Sequence, residues 1–338
     1  MTVPQPGPDV PAAVADWRRD PSFTPPERVP WSELGPYFID AWGRADPANP
    51  QPENAEIVGQ NGSGKTYLLM TWLQQRMIAR QSAAVMVCTK ADDEIFTRLG
   101  WPITDRVADL DNSPNAIYWP RTRLTGTKKR QYHERKLSQL LDALWVPKSN
   151  RIVAFDEIGY VESLSGDMRQ KVMDYWREGR SLGITTVGMK QRPQGALRDM
   201  HAESYWTAAF KPKDRADLER WAELFGARRD WMPVFDSLDR KRREFILGNP
   251  VHNEAYISWV DVPLVPVKPE RRAPSWLGGR GHHEHADPAP ARGPGPDRPQ
   301  QGLAGVPVIL PGVLVTLKLA HAAACHRNPQ SCGIYPPS

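Results

Sequence analysis

The chain has few cysteines, no long apolar run and no internal repeat. Its 338 residues contain three cysteines, Cys88, Cys325 and Cys332. That number excludes a disulfide framework and fits a reducing cytoplasm. Cys325 and Cys332, with His326, lack the spacing of a zinc site. The start "MTVPQPGPDVPAAV" has neither a basic segment nor the apolar core of a signal peptide. The longest uncharged apolar stretch, Leu303–Leu317, covers fifteen residues and includes two prolines. A membrane-crossing helix needs about 20, so no membrane span is expected. Proline is scarce in the middle: eleven of the 34 fall in residues 1–50, fourteen in 261–338 and nine between. Because proline removes an N–H and fixes φ, the expected ordered domain is 28–261. A Pro-rich extension, 1–27, precedes it. The tail, 262–338, is low in complexity and is expected to be disordered, because runs such as "PAPARGPGPDRPQQG" cannot bury enough apolar surface to order themselves. The histidines of "GHHEH" in this tail read as incidental.

The middle of the chain alternates between two patterns. "AEIVG", "AAVMVCT", "NAIYWP", "RIVAFDEIG", "GITTVGMKQRP" and "AESYWTAAF" are short apolar runs bounded by polar residues, which predicts buried strands. Helical spacing recurs between them, in "KTYLLMTWLQQRMIARQ", "KKRQYHERKLSQLLDALWV", "GDMRQKVMDYWREGR" and "KDRADLERWAELFG". Strands alternating with helices predict an α/β fold with a mainly parallel sheet flanked by helices. "RREFILG" and "EAYISWV" predict a closing hairpin or sheet edge. The aromatics of Trp31–Gly43 are expected to pack on this core.

One junction carries specific chemistry. Gly59-Gln60-Asn61-Gly62-Ser63-Gly64-Lys65-Thr66 matches G-x-x-x-x-G-K-[ST], with a strand before it and a helix after it. Glycines let the backbone wrap phosphates, and successive N–H groups with the helix N-terminus hold negative charge. Lys65 is expected on the β- and γ-phosphates of ATP, and the Thr66 hydroxyl on Mg²⁺. A second junction ends in Asp156-Glu157, after the apolar run Ile152–Phe155. A buried parallel strand delivers its last residues to the ligand edge of the sheet. Asp156 is expected to hold Mg²⁺ through water, and Glu157 to act as general base on the attacking water.

Gln191 closes a third strand. If that strand lies between the other two, its amide reaches the γ-phosphate region and can orient the water. Arg177 and Arg180 close the preceding helix. Either one, supplied by a neighbouring subunit, is a candidate to neutralise charge in the transition state. The competing reading is a cation favoured at a helix C-terminus.

"GQNGSGKT", "VAFDEIG" and "GRSLGITTVGMKQRP" together resemble the HerA/FtsK group of P-loop ATPases. That group contains DNA pumps, conjugative coupling proteins and phage packaging ATPases. The third stretch narrows the resemblance, through Gly179-Arg180, Gly183 and Gln191-Arg192-Pro193. "VCTKADDEIFTRLGW" is also similar to the second-strand region of phage members. The resemblance covers about residues 50–210. It implies a RecA-like core and a homo-oligomeric ring, usually a hexamer, with ATP hydrolysed between subunits. It also implies double-stranded DNA as partner. With no anchor and no winged-helix DNA reader legible, the expected activity is ATP-driven DNA translocation by a phage or prophage packaging ATPase. Such a motor would work in the host cytoplasm or on the virion, with a capsid portal or vertex protein as a possible further partner.

Three alternatives stay open: a conjugative or mobile-element motor, a filamentous-phage-type morphogenesis ATPase, and a P-loop small-molecule kinase. Glu157 would be superfluous in the kinase. The densest basic runs, "TGTKKRQYHERK" and "RKRRE" (Arg240–Glu244), are candidates for sequence-independent phosphate contacts. Each also fits a solvated surface.

Overall fold

The computed structural model describes residues 23–43, 53–113, 115–192, 198–249 and 253–265. The apolar stretch 303–317, the histidine run, Cys325 and Cys332, Pro193 and nearly all of both expected Pro-rich flanks lie outside them. The described residues form one ten-stranded sheet. In chain order its strands are β1 (Glu27–Arg28), β2 (Ala55–Val58), β3 (Ala83–Val87), β4 (Ile103–Thr104), β5 (Asn115–Tyr118), β6 (Arg151–Phe155), β7 (Ile184–Lys190), β8 (Trp206–Phe210), β9 (Phe245–Asn249) and β10 (Glu254–Ser258). The order across the sheet is β1-β10-β9-β8-β2-β7-β6-β3-β5-β4. From β8 to β4 every pairing is parallel, and β9 is antiparallel to both β8 and β10. The central strands are buried along their full length, which is why they read as mostly apolar runs.

Helices cover both faces. On one face lie α1 (Trp31–Gly43) and α2 (Lys65–Arg80). There Trp31, Phe38, Trp42 and Trp72 pack against each other and on Trp206, with Phe38 and Trp72 rings 4.6 Å apart. The aromatics of α1 thus pack onto the core, and the helix accommodates Pro36. On the other face α4 (Gly126–Leu144), α5 (Ile158–Glu162) and α6 (Gly166–Arg177) cover β3, β5, β6 and β7. Farther along that face, α8 (Arg215–Phe225) and α9 (Arg228–Asp236) cover β2, β8 and β9. Two short helices, α3 (Glu94–Arg98) and α7 (Arg198–Ala202), complete the set. Each helix start has a local cause where a side chain caps it: Ser165 accepts from the Met168 N–H and Asp214 from the Ala216 N–H.

This is the RecA-like arrangement, an α/β/α sandwich with the strand of the glycine-rich junction at its centre. The expected closing hairpin is β9–β10. The sheet then runs one strand farther, to β1, whose two residues carry too little pattern to be read as a strand. At the other end of the domain the described chain continues to Val265. Tyr67 Oη donates to the Val262 carbonyl at 2.9 Å, and Gln74 Nε2 donates to the Val265 carbonyl at 2.6 Å.

Candidate nucleotide site

The glycine-rich junction leaves β2 at its C-terminal end. The Gly59 N–H donates to the Lys190 carbonyl at 3.1 Å, so the loop starts from the β2–β7 ladder. Ser63 N–H then closes a turn on the Gln60 carbonyl at 3.1 Å. Gly62 has φ +80° and Gly64 φ +104°, left-handed conformations that a side chain would strain. Gly59 is fixed by space instead: a methyl group there would lie 2.7 Å from Ser63 Oγ and 2.8 Å from Phe210 Cβ. The loop ends as α2 begins at Lys65, with Thr66 in the first turn. Asn61 and Gly62 form the exposed crest.

Lys65 is buried, and its Nζ donates to the Gln60 carbonyl at 3.1 Å, bracing the loop across its mouth. Burial lowers its pKa to about 8, against the attraction of Glu157 and Asp156. An ammonium held in that condition gains from any anion that reaches it. Ser63 Oγ is buried without a hydrogen-bond partner among the described residues.

The carboxylates come from the neighbouring ladder. Asp156 continues β6, its N–H donating to the Val87 carbonyl at 3.0 Å. Its side chain is fully buried. Oδ1 accepts from Lys90 Nζ at 2.8 Å, and Oδ2 has no partner among the described residues. Burial outweighs Lys90 and lifts its pKa to about 6. Glu157 turns the chain into α5 and is half-buried. Burial raises its pKa as well, although Gln191 and Lys65 oppose the shift. A base with a raised pKa is better matched to taking a proton near neutrality.

Gln191 meets Glu157 directly. Strand β7 pairs with β2 on one side (Val58↔Lys190) and with β6 on the other (Phe155↔Gly188). Its end therefore lies between the glycine loop and the carboxylates, and Gln191 Nε2 donates to Glu157 Oε2 at 2.8 Å. The amide thus orients one carboxylate oxygen and leaves the other available to a water.

Lys90 was not legible as a site residue. It follows the end of β3 and also bonds Asp93 Oδ2 at 3.1 Å. Burial works against its charge, but Asp156 and Asp93 outweigh it and raise its pKa. The signal was available: a charged residue just after an apolar strand, the same pattern that singles out Asp156.

Arg177 and Arg180 lie at the opposite edge of the sheet. Arg177 ends α6, and Arg180 sits in the 3₁₀ turn Gly179–Leu182 that feeds the start of β7. Arg180 Nη1 donates to Tyr205 Oη at 2.7 Å, with its guanidinium 5.4 Å from that ring. The seven residues of β7 separate this turn from Gln191, about 20 Å of extended chain. Neither arginine shares an edge with Lys65 of its own chain.

Magnesium fits the donor set. The buried, unpartnered Oδ2 of Asp156 and the hydroxyl of Thr66 suit an ion that keeps several waters and takes its remaining oxygens from phosphate. The basic runs are partly spent inside the fold. Arg130 bonds the Ser163 and Leu164 carbonyls, and Lys136 pairs with Asp105 at 2.9 Å.

No family model matches the chain, and no curated protein matches it. Solved structures do. The genome packaging NTPase B204 of Sulfolobus turreted icosahedral virus 2, in complex with sulfate, is 12% identical with a TM-score of 0.48, over 62% of this chain and 97% of that one. The cytoplasmic domain of the Thermomonospora curvata type VII secretion ATPase EccC is 16% identical with a TM-score of 0.41, over 64% of this chain and 27% of that one. The pCW3 conjugation coupling protein TcpA, with ATPγS, is 15% identical with a TM-score of 0.39, over 61% of this chain and 59% of that one.

Proposed function

We propose that this chain is an ATP-driven motor that moves double-stranded DNA, of the packaging type found in phages and prophages. The observation that carries the enzymatic half is the Glu157–Gln191 contact of 2.8 Å, beside a glycine loop that holds Lys65. A general base, an amide that aims it and a phosphate cradle stand together at one sheet edge. In this reading the backbone of Gly59–Gly64 wraps the phosphates. Lys65 swings from the Gln60 carbonyl to the β- and γ-phosphates. Thr66, and Asp156 through water, would hold Mg²⁺, which would supply charge neutralisation at the phosphates. Glu157 takes the proton of the attacking water, and Gln191 holds that carboxylate in place.

The DNA half rests on the resemblance carried by Gly179-Arg180, Gly183 and Gln191-Arg192, and on where the arginines stand. At the edge away from their own phosphate loop, Arg180 and Arg177 are suited to complete a site on the next subunit of a ring, with a hexamer as the proposed form. A genome-packaging role, a capsid portal or vertex partner, and a cytoplasmic or virion location follow as parts of the same proposal. So do the domain limits, 28–261 between a Pro-rich extension and a low-complexity tail.

The test is the rate of phosphate release from ATP and magnesium, with and without long duplex DNA. Stimulation by DNA in the wild type, and near-silence in Glu157→Gln with ATP binding kept, is the expected result. A rate that ignores DNA but rises with a small hydroxyl compound would replace the motor with a kinase.

A further inference from the structure

From sequence the basic run Arg240–Glu244 fits either a phosphate contact or a solvated surface, and the structure divides its cations. Arg240 Nη2 donates to the Pro212 carbonyl at 2.6 Å. The Arg242 guanidinium lies 3.8 Å from the centre of the Trp259 ring and 3.9 Å from Glu244. Both are occupied in holding the turn. Arg243 instead packs its stem on the phosphate loop: a methyl group on Gly64 would be 3.2 Å from Arg243 Cδ and 3.7 Å from its Cβ. Arg243 itself is exposed, and its guanidinium makes no hydrogen bond or ion pair among the described residues.

The turn is built to keep it there. Asp239 Oδ1 accepts from the Lys241 N–H at 2.8 Å, Glu244 N–H donates to the Asp239 carbonyl at 3.0 Å, and Glu244 Oε2 accepts from the Asp239 N–H at 2.9 Å. Arg243 itself has φ +57°, a conformation unfavourable for a side-chain-bearing residue. Strain of this kind persists where the surroundings over-determine it.

The side of the loop matters too. Glu157 and Gln191 lie on the β6–β7 side of β2. Arg243 leads into β9 and, with Phe210 at the end of β8, touches Gly64 from the other side. A triphosphate laid along the loop with its γ-phosphate toward Glu157 turns its nucleoside end toward Arg243.

We infer that Arg243 is a nucleotide-binding residue of its own chain, its guanidinium held by the packing on Gly64 to contact the ribose and α-phosphate end of the nucleotide. The inference rests on the reading of Gly59–Thr66 as a nucleotide site. A contact at that end favours ADP and ATP alike, so it serves binding and not the chemical step.

Titration of the full-length protein with ADP and with a non-hydrolysable ATP analogue, by calorimetry, tests it. Two variants separate the guanidinium from the fold. Arg243→Gly relieves the left-handed strain, and Arg243→Met keeps the stem on Gly64. Both are expected to melt, without nucleotide, at or above the wild-type temperature, and to bind both nucleotides at least tenfold more weakly. Wild-type affinity in Arg243→Met would overturn the inference, and a loss confined to the ATP analogue would overturn the assignment to the nucleoside end. Failure of the wild type itself to bind either nucleotide would instead remove the nucleotide site on which the inference rests.

Discussion

The two edges of the central sheet hold opposite chemistry. At the C-terminal edge stand a lysine pushed down to about 8 and a carboxyl lifted to about 6, both by burial, together with polar atoms that have no partner. At the N-terminal edge stand arginines in contact with the protein. Arg180 bonds Tyr205 at 2.7 Å, with its guanidinium 5.4 Å from that ring. One edge is poised for a ligand and the other holds the cations that such a ligand would call for. A single chain cannot bring the two together, because rigid strands run between them. The contrast makes sense if neighbouring copies meet edge to edge.

The sharpest way to break this comparison is to remove the guanidinium of Arg180. An arginine supplied in trans accounts for about a 10³-fold rate gain in such sites, so Arg180→Ala is expected to lose turnover on that scale. Mixing it with Lys65→Ala, itself inactive, is expected to restore a measurable fraction of phosphate release, since some interfaces then pair an intact loop with an intact arginine. No restoration at any mixing ratio would leave the arginine with a role inside its own subunit.

Glu157→Gln attacks the other edge. Loss of a general base typically costs roughly 10²–10⁴-fold, and here the loss is expected in kcat with nucleotide affinity retained. Turnover near the wild-type rate would place the base elsewhere.

The third prediction concerns stability at the arginine edge. Asn54 is fully buried. Its Nδ2 donates to the Trp176 carbonyl at 2.6 Å, and its Oδ1 accepts from the Thr186 N–H at 3.0 Å. Asn54→Ala strands both partners and is expected to destabilise by about 3 kcal/mol in urea unfolding. A loss below about 1 kcal/mol would mean that water replaces the amide there.

The smallest effect expected is a pH dependence from Glu162, which is 4% exposed, with Oε1 unpartnered among the described residues. Burial raises its pKa from 4.5 to about 7, against the pull of Arg169 and Lys190. The folded state therefore holds this proton more tightly than the unfolded chain does. The stability it contributes is complete below the unfolded value and is lost as pH rises through 7. Glu162→Gln should match the wild type near about pH 4 and exceed it near about pH 8, by on the order of 2 kcal/mol. Parallel curves for the two proteins would show that the carboxyl finds a partner when it ionises.

What could be read in advance tracks how local each signal is. β2, β6 and β7 were legible because strands buried on both faces are mostly apolar, and Gly59–Thr66 because its backbone demands fall within eight residues. The placement of Gln191 needed the strand order, which no local pattern states. The short helices α5 and α9 were not visible: "IGYVE" spans barely more than one turn, and Pro233 interrupts the second. The packing of Arg243 on Gly64 had no local signal, because a cation looks the same in sequence whether it faces solvent or packs on a loop, and more than 170 residues separate the two. Lys90 and Asp156 meet only because β3 and β6 are neighbours.

Strand β7 runs from just after the arginine turn to Lys190, the residue before Gln191, with a hydrogen-bonded ladder on either flank. Such a strand cannot slip by itself, because sliding would break both ladders together. A displacement felt at Arg180 must therefore arrive at Gln191 as movement of the whole block of strands. If consecutive copies do touch at these two ends, β7 behaves as a stiff connecting rod, and the events at one bound nucleotide are mechanically tied to the next.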